Sequence, residues 1–222
     1  MVKWHGHGET SRDKNLISKR RPDDAGRRIS GLIRLTSGEF KGRVIKAPGG
    51  AVHPMGARER LSVLNSVAPV LLDANVLDVY AGTGALGLES ISRRAAHVTF
   101  VERSPGVAKV LRENIRMLGV ERQCEVAVMS VERFVNKDYD WGSSVRGFFM
   151  KSLCYNVIFA DPPYTDYQPE HIVPLEKFLA KGGLLVISHP KGSSAPHFRT
   201  LQLKSLHLHA GCTLSIFSKN IL

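Results

Sequence analysis

The tetrapeptide Asp161-Pro162-Pro163-Tyr164 is the segment whose residue types most directly suggest chemistry. It follows residues 157–160, an apolar run that predicts a buried strand, so the tetrapeptide is expected where that strand ends and a loop begins. Two consecutive prolines fix φ and remove two backbone donors, which predicts a stiff loop with free carbonyl groups. A flat group with an exocyclic amine suits this loop, because Asp161 and the Pro162 carbonyl can accept its two N–H bonds while Tyr164 stacks on its face. The alternative is an ordinary turn with a surface aspartate.

A glycine-rich turn provides a second candidate site. The apolar run 76–80 predicts a short buried strand, and the turn Ala-Gly-Thr-Gly-Ala-Leu-Gly then leads into a helix that we expect to end near residue 94. Strand, glycine turn and helix form the nucleotide-binding opening of a doubly wound fold, and Gly82 and Gly84 allow close approach of a ligand. The spacing G-x-G-x-x-G is weak evidence by itself. The next strand ends at Glu102, which can accept both hydroxyls of an adenosine ribose, so the pair suits NAD as well as other adenosine cofactors.

The remaining pattern predicts the elements that position these residues. Five apolar runs alternate with helical segments, which predicts a mostly parallel sheet whose strand ends bring Gly82, Glu102, Ser130 and Asp161 together. A closing antiparallel hairpin favours a methyltransferase sheet over an NAD-binding one. We therefore predict an α/β, doubly wound, mostly parallel seven-stranded methyltransferase sheet that is Rossmann-like. The predicted strands are 76–80, 97–101, 124–129, 155–160 and 184–188, the predicted helices include 105–118 and about 169–180, and the closing runs are 201–208 and 212–217.

The chain is strongly basic, and its positive charge is concentrated near the start. Residues 1–46 hold 12 Lys/Arg and 5 Asp/Glu, a net charge of 12 − 5 = +7 out of +11. Such an excess points to a polyanion, most simply a nucleic acid, although a solvated tail that only aids solubility would look the same. We predict a basic flexible arm over 1–29 and a single methyltransferase domain over 30–222. That domain comprises a small hairpin (30–47), a helix (57–68) with Leu61, Leu64 and Ala68 on its apolar face, and a catalytic core (75–217).

Several other classes of protein are disfavoured. No apolar stretch reaches the roughly 20 residues of a membrane span, and the basic, polar start is unlike a secretory signal, so we expect a cytoplasmic protein. Cys124, Cys154 and Cys212 lie far apart without a C-x-x-C pair, which predicts buried free thiols in a reducing compartment and no metal site. We expect a monomer.

Taken together, these segments resemble the RsmD-type small-subunit rRNA guanine-N2 methyltransferases, class I enzymes that use S-adenosylmethionine. The resemblance extends from about residue 31 to 217. The matching segments are Ile33-Arg34, Gly42-Arg43, Arg58-x-Arg60, Leu64-Asn65, residues 77–89 and Asp161-Pro162-Pro163-Tyr164.

The resemblance implies roles for particular residues. S-adenosylmethionine would lie across the strand ends, with Glu102 on its ribose, and no metal would be needed. The tetrapeptide 161–164 would hold the amine of a guanine pulled out of its stack in 16S rRNA, naked or within a small-subunit particle. The implied cofactor-binding residues are Asp78, Tyr80, Ala81, Gly82, Gly84, Glu102, Arg103, Ser130 and Asp161. The implied RNA contacts are Arg34, Lys41, Arg43, Arg58 and Arg60.

The sequence also departs from that family's pattern. His53-Pro54-Met55 replaces a usual Arg-Pro-Thr, Ser130 replaces a usual acid or amide, and the segment 136–154 is longer than expected. Three alternatives stay open. A loop of this type serves adenine N6 in DNA or RNA, cytosine N4 or a protein glutamine equally well, an NAD-dependent oxidoreductase shares the glycine turn, and a non-catalytic RNA-binding protein could use the same fold.

Overall fold

A seven-stranded sheet flanked by helices and a separate two-stranded hairpin make up the computed structural model, which describes residues 29–48, 55–136 and 154–220. The predicted arm, most of the loop around His53 and nearly all of the segment 136–154 lie outside these ranges. None of the helices within them is long and apolar enough to cross a membrane.

The strands are β1 (Ile29–Arg34), β2 (Val44–Pro48), β3 (Asn75–Val79), β4 (His97–Val101), β5 (Cys124–Ala127), β6 (Tyr155–Ala160), β7 (Leu179–Pro190), β8 (Leu201–Leu208) and β9 (Cys212–Lys219). The α-helices are α1 (Ala57–Val67), α2 (Ala85–Ser92), α3 (Pro105–Leu118), α4 (Val131–Val135) and α5 (Pro169–Ile172).

The large sheet has the predicted doubly wound topology. Its order is β5-β4-β3-β6-β7-β9-β8, with β3 to β7 parallel and β9 antiparallel to both of its neighbours. The order reverses at β3, because β4 lies on one side of it and β6 on the other. A crevice forms at such a switch point, beyond the carboxyl ends of the strands. The register pairs Val79 with Ala160, so the next residues along the two strands, Tyr80 and Asp161, leave the sheet side by side.

Helix α3 shows why some boundaries were predictable. Ser104 caps its first turn by accepting a hydrogen bond from the Val107 amide (3.4 Å), and Gly119 ends it at φ +76°. Between them, an apolar face is buried at Val110, Leu111 and neighbouring positions. The capping serine, the apolar periodicity and the terminal glycine are all features of the local sequence. The predicted limits 105–118 are confirmed.

The predicted helix at 169–180 is wrong. Helix α5 covers only four residues, a 3₁₀ turn follows from Val173 to Phe178, and β7 begins at Leu179. Pro174 explains the early end, because a proline inside a helix removes one N–H donor and clashes with the preceding turn. The segment 181–183, which precedes the predicted strand 184–188, lies inside β7, where the pairing with β6 shifts between Tyr155 and Val157.

The predicted apolar face of α1 is also partly wrong. Leu64 is buried, but Leu61 is 39% exposed and Ala68 is exposed, and the inward face instead carries Arg60 and Val63. Of the three cysteines, Cys212 is buried, Cys124 half-buried and Cys154 exposed, so the prediction of buried thiols fails for Cys154.

The hairpin is part of the hydrophobic core. Ile33, Leu35 and Ile45 are nearly inaccessible and belong to the same apolar cluster as Leu64 of α1 and Leu111 of α3. A second cluster covers the opposite face of the sheet, under α4, α5 and the 3₁₀ turn after α5. The hairpin is therefore packed against helices α1 and α3.

Candidate active site at the switch point

The turn after β3 has an unusual backbone. Tyr80, Gly82 and Gly84 have φ values of +60°, +54° and +77°. A positive φ at a tyrosine costs about 1–3 kcal/mol and persists only where surrounding contacts impose it. Here the Ala81 amide donates to the Val101 carbonyl (3.1 Å) and the Gly84 amide donates to the Ala81 carbonyl (2.7 Å). The turn is thereby held tightly around the ends of β3 and β4.

Two carboxylates fix this turn from below. Asp78 accepts a hydrogen bond from the Gly87 amide (3.0 Å), while Glu102 accepts from the Gly82 amide (3.0 Å) and the Ser104 amide (2.7 Å). An ionised carboxylate has about four lone-pair positions, so Glu102 keeps acceptor capacity for further donors. Burial raises the pKa of Asp78 well above its usual range, and the nearby Asp161 and Glu102 raise it further.

The proline loop brings a third carboxyl group to the same place. Asp161 is partly exposed as a residue at the end of β6, but its carboxyl group is buried, and this desolvation raises its pKa to about 6 although a hydrogen bond from Ser188 lowers it. Tyr164 is 41% exposed, and its hydroxyl lies 2.6 Å from the Ser188 hydroxyl. Burial raises the pKa of this phenol, so the hydroxyl keeps its proton at physiological pH. The loop thus presents a carboxyl group with a pKa near neutrality beside a neutral aromatic ring.

One cleft of about 760 Å³ joins these groups, a size within the usual range for small-molecule sites. It brings together all four residues of the tetrapeptide and most of the predicted cofactor-binding residues. These are Asp78, Tyr80, Ala81, Gly82, Glu102, Arg103, Ser130 and Asp161. The lining also includes Met55, which belongs to the segment that departs from the family pattern, and Glu59, Glu132, His171 and Cys212, which carry no motif and were not predicted from the sequence.

Gly84 is the exception among the predicted cofactor contacts. Among the described residues, it is absent from the cleft lining, and a Cβ at this position would lie 2.3 Å from Cδ1 of Leu111 in α3. The absence of a side chain at Gly84 lets α3 pack against the turn. The structure shows a packing role for Gly84, and its predicted contact with the cofactor stays a prediction.

The predicted RNA contact of Arg60 is wrong. The predicted phosphate contact is 4% exposed, and its Nε donates to Oε1 of the fully buried Glu89 (3.2 Å) in α2. Its two terminal nitrogens donate to the carbonyls of Met55 (2.7 Å) and Arg34 (3.1 Å). The other Glu89 oxygen accepts from the Thr36 amide (3.0 Å) at the end of the hairpin strand. Because each of its three nitrogens donates inside the protein and the side chain is buried, Arg60 ties α1 and the hairpin to α2 and is not available to RNA.

Asn114 forms a second internal connection that the sequence reasoning missed. This fully buried side chain accepts from the Lys46 amide (2.9 Å) and donates to the carbonyls of Lys46 (3.0 Å) and Thr83 (3.1 Å). It therefore joins strand β2 of the hairpin directly to the glycine turn. A signal was present in the sequence: Asn114 lies three residues after Leu111 on the apolar face of α3, where an amide must find internal partners.

The other predicted RNA contacts are accessible. Arg34, Lys41, Arg43 and Arg58 are exposed, the first three on the hairpin and the last at the start of α1. Arg34 donates to the Gly42 carbonyl (2.8 Å), and the Arg43 guanidinium lies 5.4 Å from the centre of the Phe40 ring. These contacts order the side chains without burying their charges. Within the described ranges, no group of three or more potential metal ligands occurs.

The known proteins that this chain resembles include several named as methyltransferases. The chain is 34% identical over 147 residues to Ribosomal RNA small subunit methyltransferase D of Escherichia coli K12, a match that covers 65% of each chain. The solved structure of "Putative methyltransferase yhhF" from Escherichia coli superposes with a TM-score of 0.73 at 27% identity and covers 86% of this chain and all of the other. That of "SMU.776, a putative methyltransferase complexed with SAH" superposes with a TM-score of 0.57 at 12% identity, covers 78% of this chain and 53% of the other, and shows the fold alone.

The match to the curated Escherichia coli relative thus spans slightly less than two thirds of that protein's length. The family model described as "Conserved hypothetical protein 95" matches residues 33–209, which include the hairpin, the glycine turn and the proline loop. The chain belongs to the Conserved hypothetical protein 95 family.

Proposed function

We propose that this protein is an S-adenosylmethionine-dependent methyltransferase that methylates the exocyclic N2 of a guanine in 16S rRNA. The observation that carries the proposal is the placement of Asp161 beside Tyr80 at the switch point, in the same cleft as the glycine turn and Glu102. The match to a protein named ribosomal RNA small subunit methyltransferase D supports the choice of reaction and substrate.

The charges of the cleft fit this cofactor. Asp78, Glu102 and Asp161 lie close enough for the last two to raise the pKa of the first. A ligand with a sulfonium and an ammonium group relieves this repulsion, whereas the two phosphates of NAD would add negative charge to it. Glu102 retains acceptor capacity for two ribose hydroxyls, and the glycine turn allows close approach of the ligand. These features favour S-adenosylmethionine over the oxidoreductase alternative.

S-adenosylmethionine supplies an electrophilic methyl group, and the residues of the chain position the nitrogen that attacks it. Asp161 and the Pro162 carbonyl accept the two N–H bonds of the amine, which aims the nitrogen lone pair at the methyl carbon. Tyr164 stacks on the ring and holds its plane. Asp161 would take the proton that the amine loses on methylation, because its carboxylate would already accept a hydrogen bond from that N–H. Much of the rate gain should come from positioning.

RNA contact would come from the exposed cations. Arg34, Lys41 and Arg43 on the hairpin and Arg58 on α1 can bind phosphates, which carry no sequence information but fix the register of the RNA. We expect rRNA, naked or within a small-subunit particle, to be the substrate, and the protein to act as a monomer.

The test is transfer of labelled methyl from S-adenosylmethionine to 16S rRNA and to small subunits from cells that lack the gene. Nucleosides from the product are separated by mass spectrometry. Label in N2-methylguanine supports the proposal, and label in N6-methyladenine replaces it with the adenine alternative. RNA binding without transfer under conditions that modify a control substrate would favour a non-catalytic role.

A further inference from the structure

Ser188 connects the two functional ends of the proline loop. It lies near the carboxyl end of β7 and is 1% exposed. The register pairs Ala160 of β6 with Ile187 of β7, so Asp161 and Ser188 are the next residues along two neighbouring parallel strands. The Ser188 hydroxyl also lies 2.6 Å from the Tyr164 hydroxyl. One buried side chain thus bonds to the Tyr164 hydroxyl and lies next to Asp161 in the sheet, and the proposed mechanism gives roles to both of these residues.

The direction of these hydrogen bonds follows from the chemistry of the groups. A hydroxyl has one proton to donate, and an ionised carboxylate can only accept. When Asp161 is ionised, its bond uses the single Ser188 proton, and Tyr164 is then the donor in the bond that joins the two hydroxyls. Tyr164 must then donate its own proton inward. The result is a directed chain from Tyr164 through Ser188 to Asp161.

We propose that Ser188 is a positioning residue that holds the Asp161 carboxylate and the Tyr164 ring in one fixed mutual orientation for the incoming base. The proposal rests on the proposed function, because it assigns Ser188 to the same reaction. Since Tyr164 donates inward, its hydroxyl is not available to read the base, and the residue contributes its ring face. Since Ser188 occupies one acceptor position of Asp161, the remaining lone pairs are left for the amine.

This arrangement has consequences that a purely structural serine would not have. The hydrogen bond from Ser188 favours the ionised form of Asp161, so its loss should leave burial to raise the pKa of the carboxyl group further. The 41% exposed Tyr164 ring would also lose its inward anchor. We therefore expect Ser188→Ala to lower kcat/KM about 10- to 100-fold. Asp78, Glu102 and Tyr164 face Asp161 in the cleft and are unchanged in this variant, so the acid limb of the pH–rate profile should move upward, by about one pH unit.

Ser215 provides a matched control. It is a fully buried serine on the neighbouring strand β9, and its hydroxyl lies 2.9 Å from Nε2 of His189, outside the chain of bonds described above. Ser215→Ala also removes one buried hydroxyl, so it should lower stability while leaving the acid limb in place. Tyr164→Phe removes the other end of the chain but keeps the ring. Its effect on kcat/KM should not add to that of Ser188→Ala, because both remove the same bond.

The decisive measurement is an NMR titration of the Asp161 carboxyl carbon in the wild type, Ser188→Ala and Ser215→Ala, without RNA. It reports the contact whether or not the protein transfers methyl groups. An upward shift of about one pH unit in Ser188→Ala alone, together with the moved acid limb, supports the proposal. An unchanged titration in a folded Ser188→Ala protein, or equal shifts in both variants, overturns it. A wild type that shows the contact but transfers no methyl group to RNA refutes the proposed function instead.

Discussion

Asp161 is expected to make the protein less stable at the pH at which it works. Its pKa in the folded protein is about 6, against an ordinary value of 3.8, and the main cause is burial of the carboxyl group. The folded protein therefore holds this proton more tightly than the unfolded chain does. The stability that protonation contributes is fully present below about pH 4 and is lost as the pH rises through 6.

The size of the effect follows from the shift. A difference of 6 − 3.8, about two pKa units, corresponds to about 3 kcal/mol at 1.36 kcal/mol per unit. Asp161→Asn keeps the shape and removes the charge, so it should avoid this cost. The variant should match the wild type near pH 4 and exceed its free energy of unfolding by up to about 3 kcal/mol above pH 7. Its methyl transfer should fall at least 100-fold, because the amide is a poor acceptor for the amine proton.

Urea unfolding at a series of pH values between 4 and 8 measures this difference. Asp73→Asn is the control: Asp73 is exposed, lies outside the cleft lining and has a φ of +55°, which asparagine tolerates. Asp73→Asn should have the same free energy of unfolding and the same transfer rate as the wild type at each pH. The gain in free energy of unfolding from Asp161→Asn should grow with pH. A gain that stays constant, or that shrinks as the pH rises, would refute the raised pKa of the Asp161 carboxyl group.

Three further perturbations test the supporting structure. Gly84→Ala should lower the free energy of unfolding by about 2–4 kcal/mol in urea titrations, since φ is +77° and Leu111 leaves no room for a Cβ; a loss under 1 kcal/mol would contradict this packing. Arg60→Ala should cost about 3–5 kcal/mol in the same assay, because it leaves Glu89 buried without its cation, and near-wild-type stability would show that the pair is dispensable. Arg34→Ala should reduce the salt slope of RNA binding by about one while S-adenosylmethionine affinity stays unchanged; an unaltered slope would remove Arg34 from the RNA contacts.

The sequence was most informative where the determinants of structure are local. Strand β6, helix α3 and the residues that follow strands β4 and β6 were predictable, because apolar runs, caps and glycine stops specify them within a few residues. The switch point followed from topology, which brought Asp161 to the glycine turn across some 80 residues of sequence.

The errors arose where tertiary contacts decide the outcome. Arg60 looked like a surface cation, and only the docking of α1 against Glu89 buries it. Asn114 has no motif, because its partners are backbone groups of two distant segments. The contact of Ser188 with Tyr164 and the place of Cys212 in the cleft lining depend on how β7 pairs with β6 and β9, which the sequence pattern alone does not specify.

The buried links made by Arg60 and Asn114 have a consequence for how an RNA would be chosen. Both links hold the hairpin to the helices next to the glycine turn. The distance between the hairpin cations and the cleft is therefore fixed by the fold. The protein would then select by distance. A nucleotide would reach the methyl donor only when the folded RNA places phosphates at the distance that separates the hairpin cations from the cleft. Selection among chemically identical guanines would come from geometry, with no need to read the surrounding bases.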